Sequence, residues 1–168
     1  MLHRFFSVLV VAIISFACFS LANATDTEDA NMVQMKKFYN EVINQGNIDL
    51  LDELCVASFV EHEETPGLAP GLEGVKQWFK MLRTAFPDLK FEVGFMLAKD
   101  DKVVSYVTMT GTQKGPFMDM PASGKMIRVN TVDIVRFKDG KAVEHWGVTD
   151  SGTMMQQLGA IPEKQAEK

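Results

Sequence analysis

Apolar residues change their spacing along this chain, and each change marks a different kind of element. From Asp29 to Asn44 the positions Met32, Met35, Phe38, Tyr39, Val42 and Ile43 recur at three- and four-residue steps, which predicts a helix with one buried stripe. Gly46 then stands where a helix favours a left-handed end. Ile48 to Leu54 reads as a second, short helix. The stretch "SFVEHEETPGLAPG" begins as a few residues of extended chain and becomes loop, because its prolines and glycines break regular structure. Gly71 to Phe86 predicts a third helix with Val75, Trp78, Phe79 and Leu82 on its inner face. Pro87 stops it, since proline cannot continue the hydrogen-bond ladder.

Beyond Pro87 the period falls to two. Phe91 to Ala98, Lys102 to Thr112, Lys125 to Phe137 and Lys141 to Val148 are rich in Val, Ile, Thr and aromatics, the composition of strands. "KDG" between the last two is a tight-hairpin signal, as Gly140 can take a positive φ. Met154 to Leu158 predicts a final helical turn or two, with Asp150 placed as its N-cap. Helices followed by an antiparallel meander predict an α+β fold in which the helices cover one face of a curved sheet.

The chain begins differently. Arg4, an apolar run from Phe5 to Leu21 and the tripeptide Ala22, Asn23, Ala24 follow the order of a secretory signal peptide. The expectation is cleavage near Ala24, a secreted or periplasmic protein, and a single domain over residues 25–168. A retained anchor is the competing reading, and Cys18 after Ala17 only weakly matches a lipoprotein cysteine. Of 17 Lys+Arg only Arg4 lies in the leader, so 16 remain against 22 Asp+Glu and the mature net charge is −6. That balance argues against nucleic acid or an anionic membrane as a partner. The mature chain keeps one cysteine, Cys55, which cannot form an internal disulfide and reads as a small buried hydrophobe.

Strand alternation sorts the candidate chemistry. Ile127, Val129, Thr131, Asp133, Val135 and Phe137 share one face of their strand, so Asp133 and Thr131 sit in an apolar row. On the last strand Val143, His145 and Gly147 are expected to share a face, with Glu144, Trp146 and Val148 on the other. The Gly140 hairpin would bring His145 onto the face that carries Asp133. A carboxylate there must be hydrogen-bonded, paired or protonated. Beside a histidine it would hold the imidazole in one tautomer and raise its pKa, as acid–base work requires; a satisfied structural pair is the alternative. His62 could assist this pair, or complete a two-histidine, one-carboxylate metal set. The three residues are too scattered in sequence to signal a metal, and none is expected. Trp78, Tyr106 and Phe117 are candidate walls of an apolar binding cavity.

"FYNEVINQGNIDLLDELCVASFVEHE", "PGLEGVKQWFKMLRTAFPDLKFEV", "MTGTQKGPFMDMPASGKMIRVNTVDIVRFKDGKAVEHWGVTD" and "MMQQLG" resemble, in this order, the SnoaL-like polyketide cyclases, or ester cyclases, from about Met32 to Gly159. The resemblance implies the cone-shaped α+β barrel of the nuclear transport factor two-like superfamily, a curved antiparallel sheet wrapped around N-terminal helices. It further implies a homodimer and an apolar pocket for a small ligand or substrate. The reaction it implies is an intramolecular aldol closure of a polyketide ester, driven by an aspartate without metal or cofactor. By position the family's pocket histidine falls on His145, its strand polar positions on Thr131 and Asp133, and an early pocket asparagine on Glu61. The catalytic aspartate falls on Gly147, so that carboxylate is missing here. Asp133 or Asp150 would have to replace it. Otherwise the pocket binds a small molecule without chemistry, and that reading stands beside an acid–base enzyme acting on a small apolar carbonyl compound.

Overall fold

The computed structural model describes residues 26–63 and 65–162. The proposed signal peptide lies outside these residues. Among them no helix is long and apolar enough to cross a membrane.

Helix α1 covers residues 26–37 and runs on as a π-helical segment, Phe38–Asn44, that buries Tyr39, Val42 and Ile43. Gly46 leaves it at φ +80°, and Asn44 ties its end to the sheet by accepting from Phe91 N and donating to Phe91 O, at 2.8 and 3.0 Å. A 3₁₀ turn, Ile48–Leu50, leads into α2, Leu51–Leu54. Helix α3 spans Gly71–Ala85 and buries Phe79 and Leu82. Helix α4, Ser151–Leu158, starts under an N-cap in which the Asp150 carboxylate accepts from Thr153 N at 3.0 Å.

The strands are β1 (Cys55–Glu61), β2 (Lys90–Lys99), β3 (Lys102–Thr112), β4 (Met126–Lys138) and β5 (Lys141–Thr149), in the sheet order β1-β5-β4-β3-β2. Four of them match the period-two segments within two residues, and they pair antiparallel as expected. β1 is the addition: the extended residues before the loop form a strand that pairs parallel to β5, with Glu61 opposite His145. Short apolar stretches cannot reveal a parallel partner far along the chain, because only the closed sheet brings the two edges together.

The meander also contains a bulge. Arg136 pairs with Glu144 and Phe137 with Ala142, leaving Val143 unopposed. The extra residue shifts alternation by one, so Ala142 and His145 face inward while Val143 joins Arg136 and Lys138 on a shallow outer groove. Val143 therefore does not share a face with His145, contrary to strict alternation. The core fills the concave side of the sheet, where Val103, Val107, Ile127 and Val129 meet Tyr39, Ile43, Leu82 and Phe86.

Candidate functional site

A cavity of about 350 Å³ opens between the inner face of the sheet and helices α1, α3 and α4, within the range of small-molecule sites. Its walls are largely apolar and include Met35, Phe38, Trp78, Phe79, Phe117 and Met154. The loop between β3 and β4 supplies Phe117 and is braced from beneath. Gln113 is fully buried, accepts from Ser123 Oγ at 2.6 Å and donates to Pro121 O at 3.1 Å. Phe117 meets Trp78 and Phe86 edge-on, with centroids 6.0 and 5.5 Å apart.

The polar residues gather at one side of this cavity. His145 Nδ1 lies 2.9 and 2.8 Å from the two oxygens of Glu61, and its Nε2 lies 3.4 Å from Asp133 Oδ1. Asp133 accepts a further bond from the Tyr39 hydroxyl at 2.6 Å on Oδ2, and one from Thr131 Oγ1 at 3.4 Å on Oδ1. Thr149 Oγ1 donates to Thr131 Oγ1 at 3.3 Å behind them. Burial works against charge on His145, but the hydrogen bonds and charges of Asp133 and Glu61 outweigh it and push its pKa up to about 9. It is an imidazolium at neutral pH, with both N–H groups donating to carboxylates. Burial, then the charge of Asp133 and the bond to it, holds the Tyr39 phenol far above its usual range, so it remains a donor.

Glu63 also reaches this cavity, from the half-exposed chain just past β1. Its partial burial raises its pKa; the charge of His145 lowers it, and those of Glu61 and Asp133 raise it again. Cys55 lines the pocket floor, where burial and then the charge of Asp52 push its thiol up to about 12. At that value it carries no thiolate chemistry.

The structure thus gathers Glu61, Trp78, Phe117, Thr131, Asp133 and His145 around one cavity. It places two expected residues elsewhere. Side chains alternate along β1 and the residue after it, so Glu61 points in and His62 points out. There His62 stacks on Trp146 at 4.7 Å and lies 2.8 Å from Glu144, and Glu144 in turn accepts from Arg136 Nε at 2.7 Å. His62 cannot assist His145 across the sheet, and His62, His145 and Asp133 cannot converge on a metal. Tyr106 likewise faces outward and stacks on Phe95 at 5.5 Å, because its neighbours Ser105 and Val107 take the buried positions. Tyr39 and Glu63 belong to the site without having been singled out. Tyr39 sat unremarked in a helical apolar stripe, whereas Glu63 was legible from the alternation of "FVEHE", which puts residues 59, 61 and 63 on one side.

The family model of the SnoaL-like polyketide cyclases matches residues 33–158. The chain belongs to that family. No curated protein matches it significantly in sequence. Among solved structures, this SnoaL-like chain is similar to TsrD from Streptomyces laurentii at 27% identity and a TM-score of 0.72, covering 79% of this chain and 97% of that one. It is 30% identical to IdmH from Streptomyces antibioticus, described as a candidate polyketide cyclase, with a TM-score of 0.67 over 77% and 98% of the two chains. A candidate polyketide cyclase from Bacillus cereus ATCC 10987 is 29% identical, with a TM-score of 0.69 over 79% and 82%. These relatives share the mixed fold of helices on a curved five-stranded sheet. Within this SnoaL-like pocket, Gly147 lies opposite Asp133 in the β4–β5 pair and offers no carboxylate of its own.

Proposed function

We propose that this SnoaL-like protein is an exported, cofactor-independent acid–base enzyme of cyclase or isomerase type, acting on a small apolar compound that carries a carbonyl group. The observation that carries this reading is the His145 imidazolium held between Glu61 and Asp133 on the polar side of an otherwise apolar cavity. A fixed cation in a water-poor pocket stabilises an oxyanion as it forms, and it costs no reorganisation at the moment of reaction. The 3.4 Å contact from Nε2 to Asp133 is the looser of the two. A substrate carbonyl oxygen would compete for that N–H, while Glu61 keeps the ring in place. The apolar leader supports export, and the apolar lining supports the substrate class.

A binding protein without chemistry is the second reading, favoured by the absent side chain at Gly147. Deuterium exchange at the carbon beside the carbonyl of 1-tetralone, followed by NMR in D₂O, separates the two. The enzyme reading expects exchange above the buffer rate, lowered by about two to four orders of magnitude in His145→Gln, the usual contribution of one acid–base group. It also expects Asp133→Asn to move the His145 titration downward, because an anionic neighbour is lost. Binding of the enolate-like probe 1-naphthol without any wild-type exchange would establish the second reading instead.

A further inference from the structure

Three carboxylates reach the cavity, and two of them are already committed. Glu61 spends both oxygens on His145 Nδ1, and its Oε1 also accepts from Glu63 N at 2.8 Å. Asp133 accepts from Tyr39, Thr131 and His145. Among the described residues the Glu63 carboxylate accepts from no donor, although the charge of the same histidine acts on it. The Glu63 carboxylate sits beside a glycine: a Cβ on Gly147 would meet Glu63 Oε2, the flexible end of that side chain, and the same point is 3.0 Å from Cε1 and 3.3 Å from Nε2 of His145. Side chains at 63 and 147 therefore compete for one volume beside the imidazolium edge.

We propose that Glu63 is the proton-abstracting base of this pocket, supplied from the chain after β1, and that Gly147 is the residue that leaves room for it. The assignment rests on the acid–base reading of the site. Glu63 Oε2 takes the proton from the carbon beside the carbonyl, and the C–H electron pair becomes the C=C bond of the enolate. The carbonyl π pair moves onto oxygen, where the Nε2–H of His145 meets the new charge. Returning the proton to carbon restores the Glu63 carboxylate; where the enolate adds instead to a second carbonyl of the same molecule, the new alkoxide takes the proton from Glu63 and restores it as well. Its half-exposed position at the cavity mouth suits that exchange with solvent. Partial burial raises its pKa, which makes it a stronger base than a free glutamate. A committed carboxylate would first have to give up its donors.

The experiment compares 1-tetralone exchange in the wild type, Glu63→Gln, Glu63→Ala, His145→Gln and the double variant Glu63→Ala/Gly147→Asp, with 1-naphthol fluorescence reporting an intact pocket. Glu63→Gln is expected to keep 1-naphthol binding and to lose about two to four orders of magnitude in exchange. The acid limb of the wild-type pH–rate profile should vanish with it. The groups facing Glu63 are Glu61, Asp133 and His145, and they remain in place, so a surviving acid limb would belong to one of them and would overturn the assignment. The double variant is expected to regain about one order of magnitude or more over Glu63→Ala, because the carboxylate returns to the same volume from β5. Near wild-type exchange in Glu63→Gln, with exchange lost in His145→Gln, would remove Glu63 from the chemistry and leave the enzyme reading standing. Loss of 1-naphthol binding in both Glu63→Gln and the double variant would make Glu63 structural and overturn its role as base. A wild type with no exchange above buffer would overturn the enzyme reading, and this assignment with it.

Discussion

His145 carries its charge because two different strands each present a carboxylate to it, and that arrangement ties stability to pH. The unfolded histidine titrates near 6.5 and the folded one near 9. A raised folded pKa contributes stability that is complete below the unfolded value and is lost as pH rises through the folded one. At 1.36 kcal/mol per unit, the loss between pH 6.5 and 9 is on the order of 3 kcal/mol. Urea unfolding at pH 6 and at pH 9.5 measures it directly. The wild type should lose that amount and His145→Gln should lose little, so parallel curves for the two proteins would show that the imidazolium is not held as described. The orientation of Asp133→Asn also follows at this scale. Its amide oxygen can face His145 Nε2–H while its NH₂ donates to the Tyr39 oxygen, so the variant keeps both contacts but loses the charge and the acceptor of the Tyr39 O–H.

Elements set which residues meet, and the π-helical segment Phe38–Asn44 is the clearest case. It lies across the inner face of the sheet, and its Tyr39, 1% exposed, reaches Asp133 from the helix side while His145 reaches it from the strand side. Tyr39→Phe keeps the ring and removes one hydrogen bond to a charged group, a loss of about 1.5–3 kcal/mol. Chemical denaturation should register it, and an unchanged midpoint would mean that the hydroxyl contributes nothing to Asp133. Much of this level was legible in the sequence. Period two located β2 to β5, the "KDG" turn located the β4–β5 hairpin, and alternation placed Thr131 and Asp133 on the inner face. Three features were not read. The bulge at Val143 breaks alternation without any composition signal. The parallel partner of β1 depends on a contact between residues 55–61 and 142–145, far apart along the chain. Tyr39 is apolar by pattern and polar by a single atom. His62 is a different case: alternation along "FVEHE" sends it to the outer face, but it stands where the extended residues pass into the glycine-proline loop.

The molecule as a whole leaves one face of its sheet uncovered. Register aligns Leu97, Val104, Ile134 and Trp146 across four strands, and Phe95, Tyr106, Val132 and Val148 beside them. Phe95, Leu97 and Val148 are 52, 64 and 72% exposed, a contiguous apolar surface of the kind that marks an interaction site. We expect a second copy of the chain to cover it, as the family resemblance implies. The outward ladder His62–Glu144–Arg136 at its margin supplies a polar rim. A stable interface needs about 800 Å² from each partner, and two apolar rows spanning β2 to β5 extend over most of the sheet. Leu97→Glu with Val148→Glu places four like charges in the interface of a symmetric pair, one at each end of the apolar rows. Light scattering should then report a dimer for the wild type and a monomer for the double variant, with the fold of each confirmed by circular dichroism. Because His145, Asp133 and Glu63 lie on the opposite face, 1-naphthol binding should persist in that monomer. A wild-type protein that is monomeric at micromolar concentration would mean that this face is covered by something other than its own kind.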